Sequence, residues 1–346
     1  MVLTTPLLER LAREGPVHVV ATPANAGILA NHPAVASVIV FDKRGADAGW
    51  RGFRRVARRL RAVGAQRAYL AQGSLRTAAL ALMAGIPERI GFDRSAGRML
   101  YTRRVPYQAS WHHAMRLWSL GSSPASVVDE LLPPESTPSL VRPSLVRPSL
   151  HPGGADIAQV DALLTPAGVE GETPLIVLAP GSVWATKRWP YFPDLAALLV
   201  ERLTATWPEA RLVVIGAAGD APLAAAIRTA VPTCIDATGA LTLLGSAALL
   251  SRARVLVTND SAPLHLASAM NTPTVALFGP TVPALGFGPL AERSVSMGIT
   301  LSCRPCHAHG PQQCPLGHWQ CMRTLSPAAV AESALTLAST LALPGH

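Results

Sequence analysis

Three features of the 346-residue sequence predict an α/β fold built from two domains. Short, β-branched apolar runs alternate with helical stretches along most of the chain, the pattern of parallel sheets covered by helices. That alternation runs twice, interrupted once by a proline-rich repeat. Several apolar runs also end in Gly, Ser or Asp just before a helical stretch, where an open α/β sheet presents its strand ends to a ligand.

In the first half, Thr5-Pro6 reads as a helix start, with Thr5 as cap and Leu7, Leu8 and Leu11 as the apolar stripe. Strands are predicted over Val17–Thr22, Val35–Phe41 and Gln66–Leu70, and helices over Trp50–Val63, Ser74–Ala84 and Trp111–Leu120. A doubly wound domain opens on a central strand, and only four residues precede the Thr5 cap, so the first strand of this domain is expected to be missing. From Pro138 to Leu150 the sequence repeats Pro-Ser-Leu-Val-Arg, which excludes helix and central strand and predicts an extended connector. The expected organisation is therefore an N-terminal domain over 1–137, a linker over 138–155 and a C-terminal domain over 156–346.

The second half restarts with a strand over Leu175–Ala179, a Gly-Ser loop and the helix Phe192–Thr204. Strands over Arg211–Ile215, Val255–Thr258 and Thr274–Phe278 alternate with helices over Leu243–Ala253 and Pro263–Met270. The last helix starts with Ser326 as cap and Pro327 as its first residue. Two such halves suggest Rossmann-like domains facing across a cleft.

Composition narrows the function. An apolar fraction of 49% with 15% charged residues describes a globular chain, and no apolar run reaches the ~18 residues that span a bilayer. Of the 30 basic residues all but Lys43 and Lys187 are Arg, so the net charge of +9 fits arginine-rich coding as well as an anionic partner. No nucleic-acid motif accompanies it. The helix over Trp50–Val63 sets Arg51, Arg54, Arg55, Arg58, Arg59 and Arg61 against Trp50, Phe53, Leu60 and Val63. Such a helix either packs its apolar face on the sheet or lies on an acidic lipid surface; packing is the expected role. Five cysteines, with four crowded into 303–321, argue against a disulfide framework and for a reducing, cytoplasmic setting.

Three strand-to-helix junctions carry candidate chemistry. In Gly181-Ser-Val-Trp-Ala-Thr-Lys-Arg-Trp-Pro190, a Gly-Ser turn offers N–H groups and the Ser182 hydroxyl to a phosphate, and Lys187 supplies charge. In Asp260-Ser261-Ala262-Pro263-Leu264-His265, the free N–H groups of a helix start favour an anion, although Asp260 or Ser261 could simply cap the helix. Phe278-Gly279-Pro280-Thr281 closes the next strand, and Asp220 follows Gly216 where a carboxylate could bond a ribose. Cys303, Cys306, Cys314 and Cys321 could build a tetrahedral zinc site, with His307, His309 and His318 as substitutes; reduced thiols or two disulfides are the other readings.

These segments together resemble the family 9 glycosyltransferases, which include the ADP-heptose:lipopolysaccharide heptosyltransferases. Matching elements are the Gly-Ser…Lys-Arg-Trp-Pro loop, Asn259-Asp-Ser-Ala-Pro263 (Ala262 standing where the family usually has Gly), the Gly279-Pro-Thr turn and Cys314-Pro-Leu-Gly-His318…Cys321-Met. The cysteine cluster and the Lys-Arg-Trp-Pro loop are closer to the second heptosyltransferase of the inner core than to the first.

The resemblance implies a GT-B architecture and inverting transfer of heptose from ADP-heptose to the lipopolysaccharide inner core, with no metal required for catalysis. It implies donor contacts from Ser182, Lys187, Asp220, Asp260, Ser261, His265, Gly279 and Thr281, and work at the cytoplasmic face of the inner membrane. The family's proposed base is an Asp in a Gly-Asp loop before the equivalent of Val2–Leu8, a position with no counterpart here, so no catalytic base is identified and activity of this chain is expected to be lacking. A family member using another nucleotide sugar and a silent donor-binding protein are the alternatives.

Overall fold

The computed structural model describes residues 1–122 and 146–339, which divide into two compact units, Met1–His151 and Pro152–His346. The N-terminal part of the proline repeat, 138–145, lies outside the described residues. Residues 146–151 pack into unit 1: Val146 and Leu150 are buried, and the Ser149 N–H donates to Thr5 Oγ1 at 2.9 Å.

Unit 1 contains α1 (Thr5–Ala12), β1 (His18–Ala21), α2 (Pro23–Ala26), β2 (Ser37–Val40), α3 (Gly49–Ala62), β3 (Arg67–Tyr69), α4 (Leu75–Met83), β4 (Glu88–Phe92), β5 (Arg103–Val105) and α5 (His113–Ser119). All its strand pairs are parallel, but they form two sheets, β1-β2 and β3-β4-β5. Apolar clusters accompany them, one around Ile39, Val56 and Leu80 and another around Leu70, Ala78 and Ile86, with Leu60 packed against both.

Unit 2 contains α6 (Gly154–Leu164), β6 (Leu175–Ala179), α7 (Phe192–Thr206), β7 (Arg211–Val214), α8 (Ala221–Ala230), β8 (Ile235–Asp236), α9 (Leu243–Ser251), β9 (Ala253–Asn259), α10 (Ala262–Met270), β10 (Thr274–Leu277), β11 (Ser294–Met297), α11 (Gln320–Arg323) and α12 (Pro327–Ser339). One six-stranded parallel sheet runs β11-β10-β9-β6-β7-β8. Every residue of β6 and β10 is buried, as a sheet covered on both faces requires. Side chains of β6, β7, β9 and β10 join α7, α8 and α12 in one large core.

Three expectations need correction. Thr5 is not the cap of α1: the helix begins at Thr5, Thr4 precedes it, and the Thr5 hydroxyl donates to Val2 O. Trp50 does not pack into the core but is 62% exposed, stacked on Phe53; the buried face of α3 is Gly52, Val56 and Ala57. α6 begins at Gly154, inside the predicted linker, with Asp156 bonding the Gly153 N–H at 2.9 Å. Among the described residues, no helix is long and apolar enough to cross a membrane.

Candidate functional site

Strand order in unit 2 reverses at β6 and β9: β7 and β8 continue on one side of β6, β10 and β11 beyond β9. Ligands of open α/β sheets bind outside the carboxyl ends of strands at such a switch point. The segments leaving β6, β9 and β10 there are the three junctions singled out in the sequence: 180–190, 260–265 and 278–281.

Asn259, the last residue of β9, organises the first of them. Its side chain is fully buried, donating to Pro180 O at 2.8 Å and accepting from the Trp189 N–H at 3.1 Å. One amide thus holds both ends of the loop 180–189 against β9. Arg188 Nε also donates to Ser182 O at 2.8 Å, and Trp189 sinks into the core with its indole N–H on Leu325 O.

At the centre lies a buried ion pair. Lys187 Nζ is 2.6 Å from Asp260 Oδ2 and donates to Asp260 O at 3.3 Å, with both residues 7% exposed. Thr281 Oγ1 donates to the same Oδ2 at 2.7 Å. A buried pair is sustained only when further hydrogen bonds satisfy it, and this one has them from three loops.

Ser261 precedes α10, and its hydroxyl is buried with no hydrogen-bond partner among the described residues. An orphaned buried hydroxyl costs free energy unless a ligand satisfies it, and this one stands at a helix start that favours an anion. Ser182 is 9% exposed, its Oγ accepting from the Trp184 N–H at 3.3 Å. Asp220 accepts from the Ala217 N–H at 2.9 Å and lies against Gly181, where a Cβ would meet its Oδ2 at 2.4 Å, so the close approach requires glycine. His265 sits one turn inside α10, its ring 6.4 Å from that of Phe287. The Gly279 carbonyl accepts from Arg304 Nε.

The cysteine-rich loop braces this arrangement. Trp319 Nε1 donates to Thr186 O at 2.8 Å, Thr186 Oγ1 donates to Pro311 O, and Gln312 bonds both the Ala185 N–H and Val183 O. Gly310, at φ +86°, lets its backbone lie on the Lys187 stem, 3.1 Å from where a Cβ would sit to Lys187 Cε. On the other side, Arg304 donates to Phe278 O and Thr281 O, both at 2.9 Å, and the Cys306 N–H to Pro280 O at 3.0 Å.

Arg304, Gly310 and Gln312 escape the sequence reading, and Asn259 enters it only as the start of a matching segment, with no role of its own. Asn259 looks like the end of an apolar strand and Arg304 like the filler of a Cys-x2-Cys knuckle; only the fold shows what their side chains reach.

All five cysteines are free, which removes the two-disulfide reading of the loop. Burial and the neighbouring thiols Cys306, Cys314 and Cys303 push Cys321 up to about 11, and burial raises Cys306. Burial also opposes ionisation of Cys314, but the N–H groups of Trp319, Leu316, Gly317 and His318 outweigh it and lower its pKa. Among the described residues, the four thiols do not form a set with every sulfur within 4.8 Å of the others.

Residues 53–319 match the family model of glycosyltransferase family 9 (heptosyltransferase). The chain is 30% identical over 298 residues to lipopolysaccharide heptosyltransferase 1 of Pseudomonas aeruginosa, covering 81% of this chain and 74% of that one. It is 35% identical over 121 residues to lipooligosaccharide heptosyltransferase 2 of Haemophilus influenzae, 33% of each chain. In structure it resembles the ADP-heptose lipopolysaccharide heptosyltransferase II of Escherichia coli, with a TM-score of 0.75 and 24% identity over 98% of this chain and 95% of that one. The α/β fold expected from the sequence is thus the fold of that enzyme. With three quarters of its length inside the family model, the chain belongs to glycosyltransferase family 9, the heptosyltransferases.

Proposed function

We infer that this chain is an inverting heptosyltransferase that takes heptose from ADP-heptose to the inner core of lipopolysaccharide. The observation that carries the donor site is the buried Lys187–Asp260–Thr281 cluster beside the unsatisfied Ser261 hydroxyl, at the switch point of the unit 2 sheet. In this reading Ser261, Ser182 and the first turn of α10 hold the diphosphate. Lys187 lends positive charge to the leaving group as the glycosidic bond to phosphate breaks, the electrostatic help such a step needs.

Asp260 then orients a donor-sugar hydroxyl and Asp220 the ribose. His265 faces the same junction, and Gly279 and Thr281 close the pocket wall. Titration calorimetry of the full chain tests this. ADP and ADP-heptose should bind, and Ser261→Ala should weaken both by ~10–100-fold, the cost of a hydrogen bond to a charged group. Equal affinity in the variant rejects the site, and tighter binding of another nucleotide sugar rejects the donor.

Two features extend the reading. On α3, Arg51, Arg54 and Arg58 are exposed beside Trp50, whereas Arg55 is held by Asp47 and Arg59 and Arg61 by backbone carbonyls. This face would rest transiently on the acidic cytoplasmic surface of the inner membrane, where the lipid acceptor lies. Flotation with anionic but not neutral vesicles, lost in Arg51→Glu/Arg54→Glu/Arg58→Glu, checks it. A structural zinc ion on Cys303, Cys306, Cys314 and Cys321 would stiffen the loop that braces Lys187, with no catalytic part.

A further inference from the structure

A second cluster of reactive side chains lies in unit 1. Glu9 of α1, His32 in the loop before β2 and His151 at the end of the unit bring a carboxylate oxygen and two imidazole nitrogens within 4.8 Å of one another. The rings of His32 and His151 meet edge to face with centroids 4.9 Å apart. Ser149 completes the group: its hydroxyl donates to Glu9 Oε1 and lies 3.3 Å from His32 Nε2. His32 is 3% exposed, and Nε2 of His151 is buried without a hydrogen-bond partner among the described residues.

That last atom is the telling one. A buried imidazole nitrogen left unbonded is a standing cost, and it belongs to a ring that stands within reach of two further ligand atoms. A serine nucleophile does not explain the group, because Glu9 bonds the serine and not the imidazole, so no base is oriented toward the hydroxyl.

We propose that Glu9, His32 and His151 form a binding site for a divalent transition-metal ion of the zinc type, with the Ser149 hydroxyl or a water as fourth ligand. Two neutral imidazoles and one carboxylate are a donor set for zinc, whereas magnesium and calcium prefer oxygen alone. Around a tetrahedral ion with bonds of about 2.0–2.2 Å, ligand atoms stand roughly 3.3 Å apart, so the cluster must contract. Glu9 and His151 are only half-buried and move toward the fixed His32 by side-chain rotation. Binding through Nε2 places the His32 ring proton on Nδ1, which gives up a long contact from the Ala34 N–H at 3.3 Å.

The ion would tie α1, the loop before β2 and the segment leaving unit 1 into one point. A metal clamp adds stability where apolar burial is modest, and β1 of this unit is only half-buried.

Cobalt(II) substitution in the full chain tests the site. After chelation, the protein should take up Co2+ with visible d–d bands of nitrogen–oxygen ligation that persist when Cys303→Ser/Cys306→Ser removes any sulfur-to-metal charge-transfer band. Zn2+ should displace that ion and Mg2+ should not. Glu9→Gln and His151→Gln should each weaken it at least ~10-fold, with circular dichroism unchanged, while Cys303→Ser/Cys306→Ser should leave it intact. A spectrum of sulfur ligation only, or nitrogen–oxygen bands that survive His151→Gln, overturns the proposal. His151→Gln and Glu9→Gln touch the half-buried rim, so the result does not depend on substituting His32.

Discussion

Both units are built from parallel strands and helices, yet they solve the sheet problem differently. In unit 2, β6 has a partner on each side and every residue buried, and a large apolar cluster runs from α7 to α12, with a smaller one around Leu264, Ala276 and Phe278. In unit 1, β1 pairs with β2 alone among the described residues, three of its four residues are half-buried, and half-buried Leu60 packs against both the Ile39 and the Leu70 clusters. Parallel sheets depend on both faces being covered, and hydrophobic stabilisation follows the apolar area removed from water. Rigidity falls to unit 2, where Asn259 and the Lys187–Asp260 pair pin the loops at the strand ends, and a smaller margin to unit 1.

The sharpest way to break this comparison is the buried ion pair. Lys187→Ala leaves Asp260 charged and unpaired at 7% exposure, so the unit 2 transition in urea should lose about 3–5 kcal/mol. Replacing both partners with Lys187→Met/Asp260→Leu should cost much less while also abolishing ADP binding. A loss under about 1 kcal/mol for the single variant would show that the pair is solvated.

Core truncation sharpens the same contrast at lower amplitude. Leu178→Ala in β6 should cost about 2–5 kcal/mol through the cavity it leaves. Val19→Ala in half-buried β1 should cost under about 1.5 kcal/mol. Equal losses would mean that β1 is as well covered as β6.

Acid should separate the units further. Burial, with Arg116 and His112 adding positive charge nearby, lowers His113 of unit 1 from 6.5 to about 4, and burial followed by His151 lowers His32. An imidazole with a depressed native pKa binds its proton more readily when unfolded. Its contribution is therefore intact above 6.5, declines as pH falls through the window, and is gone near 4. His113 alone accounts for a loss on the order of 3 kcal/mol. Urea melts between pH 7 and pH 4 should show the unit 1 midpoint falling, and His113→Gln should flatten that slope.

Much of the fold was legible because its signals are local. β6 is an unbroken apolar run, β9 and β10 carry the runs Val255–Val257 and Val275–Leu277, and the segments after them bear the Gly, Ser and Asp that a strand-to-helix turn uses. β4 and β5 were not legible, since Glu88-Arg-Ile-Gly-Phe92 mixes charges with glycine and Arg103–Val105 has only three residues. α8 escaped for a different reason: Ala221–Ala230 is so rich in alanine that it has little apolar stripe.

The eight residues proposed to hold the donor were readable as types at strand ends, but not as a constellation. Lys187 and Asp260 are 73 positions apart, and the loop residues that brace them, Arg304, Gly310 and Gln312, carry no pattern of their own.

By itself, then, the sequence determined the kind of each strong element and the chemistry at each strand end, because periodicity and turn preference act within a few residues. Only the tertiary structure decided which ends meet. The order β10-β9-β6 brings three distant loops together, while the strands of unit 1 fall into two sheets and Glu9 comes to lie beside His32 and His151. These outcomes follow from strand order and side-chain packing across many tens of residues, where a local pattern carries no information.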